Sequence, residues 1–288
     1  MPSASSSAYV DQRRVGEATL TVISDGSLLF PPRFAVPEAE WRRALPEADA
    51  AGRLRFALNV VLIQLGAATI LVDPGCDDPE SRWQATFAGY FEGVERSPGL
   101  AAGLASLGIA PAAITHVLIT HAHGDHFGGV MVERAGELVV RFPRARHLIG
   151  RADWEDNPRR AEPASELMER LGPIERLGLL DLVDTATEVV PGVTMLAAPG
   201  ESAGHCVVRV ESAGERCYYL GDLAHHAAEV EQPEWVFPGR DQAAMQTSRA
   251  WVFAEASASE ALVITAHEPF PPWGRITRGN TGYRWARE

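Results

Sequence analysis

The sequence is poor in cysteine, in long apolar runs and in basic charge. Its 288 residues contain three cysteines, Cys76, Cys206 and Cys217. None forms a C-x-x-C pair, and an odd number cannot all pair within the chain. That argues against a disulfide scaffold and for a reducing, cytoplasmic setting in which the thiols are small core residues. No apolar stretch approaches the roughly 20 residues that span a bilayer, so no membrane partner is expected. Lys and Arg total 26 against 38 Asp and Glu, a net charge of −12. Phosphate backbones are bound chiefly by Lys and Arg, so no nucleic acid is expected either. The acidic excess reads as solubility. Met1 to Ser7 is polar, without the basic start and apolar core of a secretory leader. No strong repeat and no dividing linker is visible. The expectation is a polar tail over 1–16 and a single domain over 17–288.

What is present is a β-rich pattern interleaved with helices. Glu17 to Ser24 alternates like a strand and runs into Asp25-Gly26. A proline-bearing segment with Phe30, Phe34 and Trp41 follows, with a short helix over Pro37 to Ala44; it is a tied-down loop or a pocket wall. Leu58 to Leu65 and Thr69 to Asp73 read as a hairpin ending in Asp73-Pro74-Gly75. Gln84 to Glu92 and Pro98 to Leu107 read as helices, His116 to Thr120 as a strand, and Leu138 to Ile149 as one or two strands. Arg151 to Leu171 is charged, mostly helical, broken at Pro158 and Pro163, and expected to cover the site. Val193 to Ala197 is a strand, and Cys206 to Glu211 pairs with Arg216 to Leu220 around Ala213-Gly214. Asp241 to Ser259 is the clearest helix. Its stripe of Ala244, Met245, Ser248, Trp251 and Val252 reads as core packing. A last strand, Leu262 to Thr265, precedes His267 and a tail rich in Pro, Gly and aromatics. The order suggests two similar halves.

The chemistry concentrates in His121-Ala122-His123-Gly124-Asp125-His126, directly after the apolar run Val117-Leu118-Ile119. Three imidazoles and a carboxylate at the end of a buried strand can converge on one or two cations. Polar groups are rarely gathered at a core edge without a partner. His205 lies in a Gly-rich loop before a strand, Asp222 follows a strand after Gly221, and His267 follows another. All three sit at strand-to-loop exits, where binding residues concentrate. His116 and His147 fit this pattern less well.

Together these motifs resemble the metallo-β-lactamase-fold superfamily over about Leu58 to His267. The resemblance implies an α/β fold, an αββα sandwich of two mixed sheets flanked by helices, with the site at one edge. Carried over by position, His121, His123 and His205 would hold one metal. Asp125, His126 and His267 would hold the second, with Asp222 bridging. The cofactors implied are two divalent ions, zinc foremost, with iron, manganese or cobalt also acceptable to these ligands. A bridging Asp222 is absent from antibiotic-hydrolysing members, and the oxygen-reducing flavodiiron members usually carry Glu where this chain has His123. The ends of the chain and Gly221-Asp222-Leu223-Ala224-His225-His226 look most like the branch of the methyl parathion hydrolases, related to the N-acyl homoserine lactonases. Lactonases commonly have Tyr three residues after the bridging Asp; here that residue is His225. A homodimer is usual among such hydrolases.

The expected reaction is hydrolysis of an ester, lactone or phosphotriester in a small, partly hydrophobic substrate. A water bridging two cations is acidified towards hydroxide and can attack carbonyl carbon or phosphorus. Asp125 could orient the nucleophile. His225 either lines the pocket and hydrogen-bonds the substrate or leaving group, or is a histidine that supports the site from behind or lies on the surface. Phe30, Phe34, Phe87, Phe91, Trp154, Phe270 and Trp273 are candidate pocket aromatics. Two other readings stay open: a mononuclear-iron oxidoreductase of the persulfide dioxygenase type, and a non-enzymatic ligand-binding member of the fold.

Overall fold

The computed structural model describes residues 8–32, 34, 36–76, 91–95 and 98–288. The first large sheet contains β1 (Val10–Val15), β2 (Ala18–Phe30), β3 (Leu54–Leu65), β4 (Ala68–Val72) and the short β5 (Glu92–Glu95). It continues through β6 (His116–Ile119) and, past a separate hairpin of β7 (Met131–Arg134) and β8 (Glu137–Val140), takes in β9 (Arg146–Gly150) and β10 (Leu180–Val183). Its order is β1-β2-β3-β4-β6-β9-β10, with β5 paired to β2. The first four strands are antiparallel, and β4, β6, β9 and β10 run parallel. The second sheet has β11 (Ala186–Val190), β12 (Val193–Ala197), β13 (Cys206–Ser212), β14 (Glu215–Tyr219), β15 (Leu262–Ile264), β16 (Trp273–Arg278) and β17 (Tyr283–Arg287), in chain order. Only β14 and β15 are parallel neighbours in it. Each sheet is therefore mixed, and each is drawn from one half of the chain.

One core lies between the sheets, with Leu20, Val61, Val72 and Leu118 on one side and Met195, Val208, Tyr219 and Trp273 on the other. The helices are α1 (Glu38–Ala44), α2 (Gly99–Ser106), α3 (Gly124–Phe127), α4 (Arg151–Glu155), α5 (Glu166–Arg176), α6 (Ala227–Glu231) and α7 (Gln242–Ala258). Leu100 and Leu104 of α2, and Leu167, Leu171 and Ile174 of α5, cover the outer face of the first sheet. Met245, Val252, Phe253 and Ala256 of α7 cover the second. This is the expected αββα sandwich. Full burial of each of the larger of these side chains, Val, Leu, Ile, Met or Phe, contributes roughly 1.5–3 kcal/mol. A fourth cluster, aromatic, joins α1 to one sheet edge through Phe34, Trp41, Phe56, Trp235 and Phe237.

The structure departs from the sequence expectations in several places. The 1–16 tail is shorter than expected, because Val10–Val15 pairs with β2 and buries Val10 and Val15 at its two ends. Strand β2 does not stop at Asp25-Gly26; a bulge between Ser24 and Gly26 carries it on to Phe30. There the Asp25 carboxylate accepts the backbone N–H groups of Cys76 and Leu100, tying down the start of α2. Helix α5 runs past Leu171 to Arg176 despite Pro173. The aromatic tail forms β16 and β17, an antiparallel pair that extends the second sheet. The helix expected over Gln84 to Glu92 falls almost wholly outside the described residues; its last residue, Glu92, begins β5. Among the described residues, no helix is long and apolar enough to cross a membrane.

Candidate metal centre

The residues singled out in the sequence meet at one edge, where strands from both sheets end. His121 to His126 leave β6 and enter α3; Asp222 follows β14 and His267 follows β15. Gly221 makes the β14 exit possible. Its φ is +53°, and a Cβ there would stand 2.8 Å from His205 Nε2 and 2.9 Å from Thr120 Oγ1. Gly129 allows a second close approach, with its N–H on Gly75 O at 3.0 Å and only 2.1 Å between Pro74 O and a would-be Cβ.

Two donor groups result. His121, His123, Asp222 and Glu201 form one, and Asp125, His126 and His267 the other, each with donor atoms within 4.8 Å of one another. His121 Nε2 lies 2.7 Å from His123 Nδ1. The two oxygens of Asp222 face different groups. Oδ2 is 3.4 Å from His121 Nε2, whereas Oδ1 is 3.2 Å from His126 Nε2 and 3.1 Å from His267 Nε2. Asp125 Oδ2 is 3.6 Å from both His126 Nε2 and His267 Nε2. His205 is adjacent but differently engaged. Its ring centroid is 5.2 Å from that of His121, and its Nε2 accepts the Asp222 N–H at 3.1 Å.

Neighbouring groups fix which ring nitrogen faces inward. His126 Nδ1 donates to Asp73 Oδ2 at 2.8 Å, and His267 Nδ1 to the Ala57 carbonyl at 2.8 Å. Each ring is left presenting Nε2 to the site. The Asp73 carboxylate also accepts Thr120 N, Thr120 Oγ1 and Tyr219 OH, at 2.7, 2.7 and 3.0 Å. Asp153 joins the two loops: it accepts Ala122 N from the histidine loop and Ser202 Oγ and Gly204 N from the loop before His205, each at 2.7 Å.

The donor set fits metal ions on physical grounds. His126 Nε2 and Asp222 Oδ1 are buried without a hydrogen-bond partner. Inward lone pairs on imidazole nitrogens facing a carboxylate oxygen repel unless a cation lies between them. With protons as the only cations, burial opposes charging His126, but Asp222, Asp125 and Asp73 outweigh it and hold its pKa well above the usual value. Burial likewise opposes ionisation of Asp222, yet His126, His267 and His225 keep its pKa well below the carboxylate range. His121 is driven well down by burial and by the charges of His126 and His123.

A cavity of about 430 Å³ opens onto this cluster. Its polar floor is His123, Asp125, Asp222, His225 and His267, and its apolar wall is Leu28, Phe30, Phe56, Phe91 and Phe237. Arg159, Glu166 and Arg240 complete the rim, so the 151–171 segment and the start of α5 do reach over the site. His225 is buried, with Nε2 3.2 Å from Asp222 Oδ2 and its ring stacked on Phe237 at 4.5 Å. Of the expected pocket aromatics, Phe30 and Phe91 line the cavity. Phe34 packs behind it on Trp235 and Phe237. Trp154 is buried with its Nε1–H on Glu175, Phe270 packs against the inter-sheet core, Trp273 lies within that core, and Phe87 lies outside the described residues.

Sequence reasoning missed Glu201, Asp73, Asp153 and Arg240. Glu201 is buried, 3.4 Å from His123 Nδ1 and 2.6 Å from Arg240 Nε. Asp73 was detectable, because it is a carboxylate at the exit of an apolar strand, the same signal that marks Asp222. Asp153 and Arg240 carry no local signal; only the fold brings them in.

Residues 54–267 match the family model of the metallo-beta-lactamase superfamily. The chain belongs to that superfamily. Among curated relatives, a probable metallo-hydrolase from Mycobacterium bovis is 23% identical over 245 residues, covering 73% of this chain and 74% of the relative. An N-acyl homoserine lactonase from Bacillus cereus is 26% identical over 186 residues, covering 62% and 68%. Among solved structures, the hydrolase AbOPH superposes with a TM-score of 0.81 at 20% identity, over 98% of each chain. AidC, a dizinc quorum-quenching lactonase, superposes with a TM-score of 0.75 at 23% identity, over 97% of each chain. The family match and these relatives together support a metal-dependent hydrolase.

Proposed function

We propose that the protein is a dinuclear metal-dependent hydrolase of an ester, lactone or phosphotriester bond in a small, partly apolar substrate. The observation that carries this reading is the split of the Asp222 carboxylate, one oxygen towards His121 and the other towards His126 and His267. His121 and His123 would hold one ion, with His205 or Glu201 completing its set. Asp125, His126 and His267 would hold the other, with Asp222 shared. Zinc suits these imidazole and carboxylate donors, and iron, manganese or cobalt are the alternatives. Two such ions supply an acidified water as nucleophile and polarise the scissile group.

The chain's own residues divide the remaining work. The Phe30, Phe56, Phe91 and Phe237 wall takes the apolar part of the substrate and excludes water. Asp125 lines the same cavity, where it can orient the attacking water. His225 turns Nε2 towards Asp222 and the cavity, where it can hydrogen-bond the substrate or the leaving group. The lactonase relatives support the lactone class among the bonds named. The complete Asp125, His126, His267 group favours two ions over the single iron of a persulfide dioxygenase.

The test is a hydrolysis screen of lactones, aryl esters and phosphotriesters on protein of measured metal content. Close to two divalent ions per chain, with turnover of at least one class, is the expected result. One iron per chain with sulfur-dependent oxygen uptake would replace this reading with the oxidoreductase. Two ions without turnover across the panel would favour a binding protein.

A further inference from the structure

We infer that Glu229 and Arg249 form a positioning pair that sets the orientation of the His225 imidazole, with Nε2 turned to the cavity. The inference rests on the role proposed for His225 in hydrolysis. Glu229 is on α6, four residues after His225, and is fully buried. Its Oε1 accepts the backbone N–H groups of His225 and His226 at 3.0 and 3.1 Å. Its Oε2 faces His225 Nδ1 at 3.4 Å and is also paired with Arg249 Nη2. The same carboxylate thus holds both the backbone and the ring of His225.

Arg249 on α7 is equally buried, and its other donors are spent on the backbone. Nε bonds the Leu223 carbonyl, and Nη1 bonds those of Pro233 and Trp235, at 2.7, 2.9 and 2.6 Å. A guanidinium fixed on three carbonyls cannot follow a moving partner, so Glu229 is fixed in turn. A carboxylate only accepts, so Nδ1 must carry a hydrogen whichever state the ring is in. Nε2 is left for the cavity. Phe237, stacked on one face of the ring, restrains its tilt. No other side chain among the described residues contacts Nδ1 of His225 in this way, and a ring without Glu229 could turn about its χ2 axis.

Glu229→Gln reverses one half of this arrangement. Its oxygen satisfies the two backbone N–H groups, so its amide nitrogen faces Nδ1, which must then accept. The hydrogen moves to Nε2. Nitrogen-15 NMR of histidine-labelled, zinc-loaded protein reads this directly, with the His225 signals assigned by their loss in His225→Gln. The expected result is a protonated Nδ1 in the wild type, its loss in Glu229→Gln, and a kcat lowered about tenfold or more with KM within about twofold. Glu229→Asp keeps the charge beside Arg249 while withdrawing it from Nδ1. It should fold where Glu229→Gln does not, and show a smaller loss in kcat. An unchanged His225 ring signal in a folded variant overturns the inference, and so does a kcat loss without a change in that signal. A wild type that hydrolyses nothing would sink the hydrolase reading alone, because the ring signal is read without turnover.

Discussion

Replacing Asp73 by Asn isolates how much of the site depends on a residue that faces it only from behind. Asp73 has φ +46°, a left-handed conformation that Asn tolerates nearly as well as Asp, so the backbone should not move. The carboxylate accepts four hydrogen bonds, from Thr120 N, Thr120 Oγ1, His126 Nδ1 and Tyr219 OH. Asn has one oxygen for them. If it serves Thr120 N, the amide nitrogen faces His126 Nδ1; the two hydroxyls can rotate to accept, but the ring can do so only by moving its hydrogen to Nε2. That closes the very atom turned to Asp222. If the oxygen serves His126, Thr120 N–H loses its acceptor, which costs about 1–3 kcal/mol of stability. Loss of such a backing group typically weakens metal binding about 10- to 100-fold, or ~1.4–2.7 kcal/mol. Competition with a chromophoric chelator measures the affinity, and thermal unfolding of metal-free protein measures the cost to the fold. Wild-type affinity together with wild-type stability in Asp73→Asn would refute the reasoning.

Other expectations follow from the same geometry. Asp222→Asn should reduce the bound metal below two per chain and turnover at least a hundredfold, read by elemental analysis and initial rates. Chelation should lower the melting temperature by about 5–10 °C if one ion bound at a hundred times its Kd is lost, with recovery on adding zinc. Phe91→Ala should raise KM several-fold, more for bulkier apolar substrates, with little change in kcat. Burial holds the His147 imidazole down at about 4, against an ordinary value near 6.5. The unfolded chain therefore binds this proton first as the pH falls. The contribution is intact above about 6.5 and is lost progressively down to about 4, ~3 kcal/mol in all. Between pH 7 and pH 5 the wild type should lose ~2 kcal/mol more than His147→Leu in urea unfolding; equal losses would contradict it.

Much of the candidate site was legible because candidate ligand residues cluster in sequence and sit where apolar runs stop. His121 to His126, Asp222 and His267 could be found from that rule, and the sheets bring them together. Glu201 was hidden because a glutamate in a glycine-rich loop looks like any solvated turn residue. Its burial depends on Arg240, 39 positions away in sequence. The fold's layers were readable from apolar strands and the α7 stripe, though Ala244 and Trp251 are only half-buried in it. The C-terminal strands were not, because alternation there is masked by Pro, Gly and charged residues. What makes Trp273–Arg278 a strand is pairing with β15 and with Tyr283–Arg287, a long-range condition that local pattern does not encode.

Asp153 belongs to the half of the chain that builds the first sheet, yet two of its three bonds reach the loop between β12 and β13 of the second. Gly150 and Gly204 meet beside it, leaving 1.8 Å between a would-be Cβ of Gly150 and the Gly204 carbonyl oxygen. This seam means that neither half holds a finished site alone, since His121 and His123 come from one and Asp222 and His267 from the other. A metal held across it, as proposed, would act as a clasp between the halves. Hydrogen exchange in strands far from the site, in both sheets, should therefore slow together when the clasp is fastened.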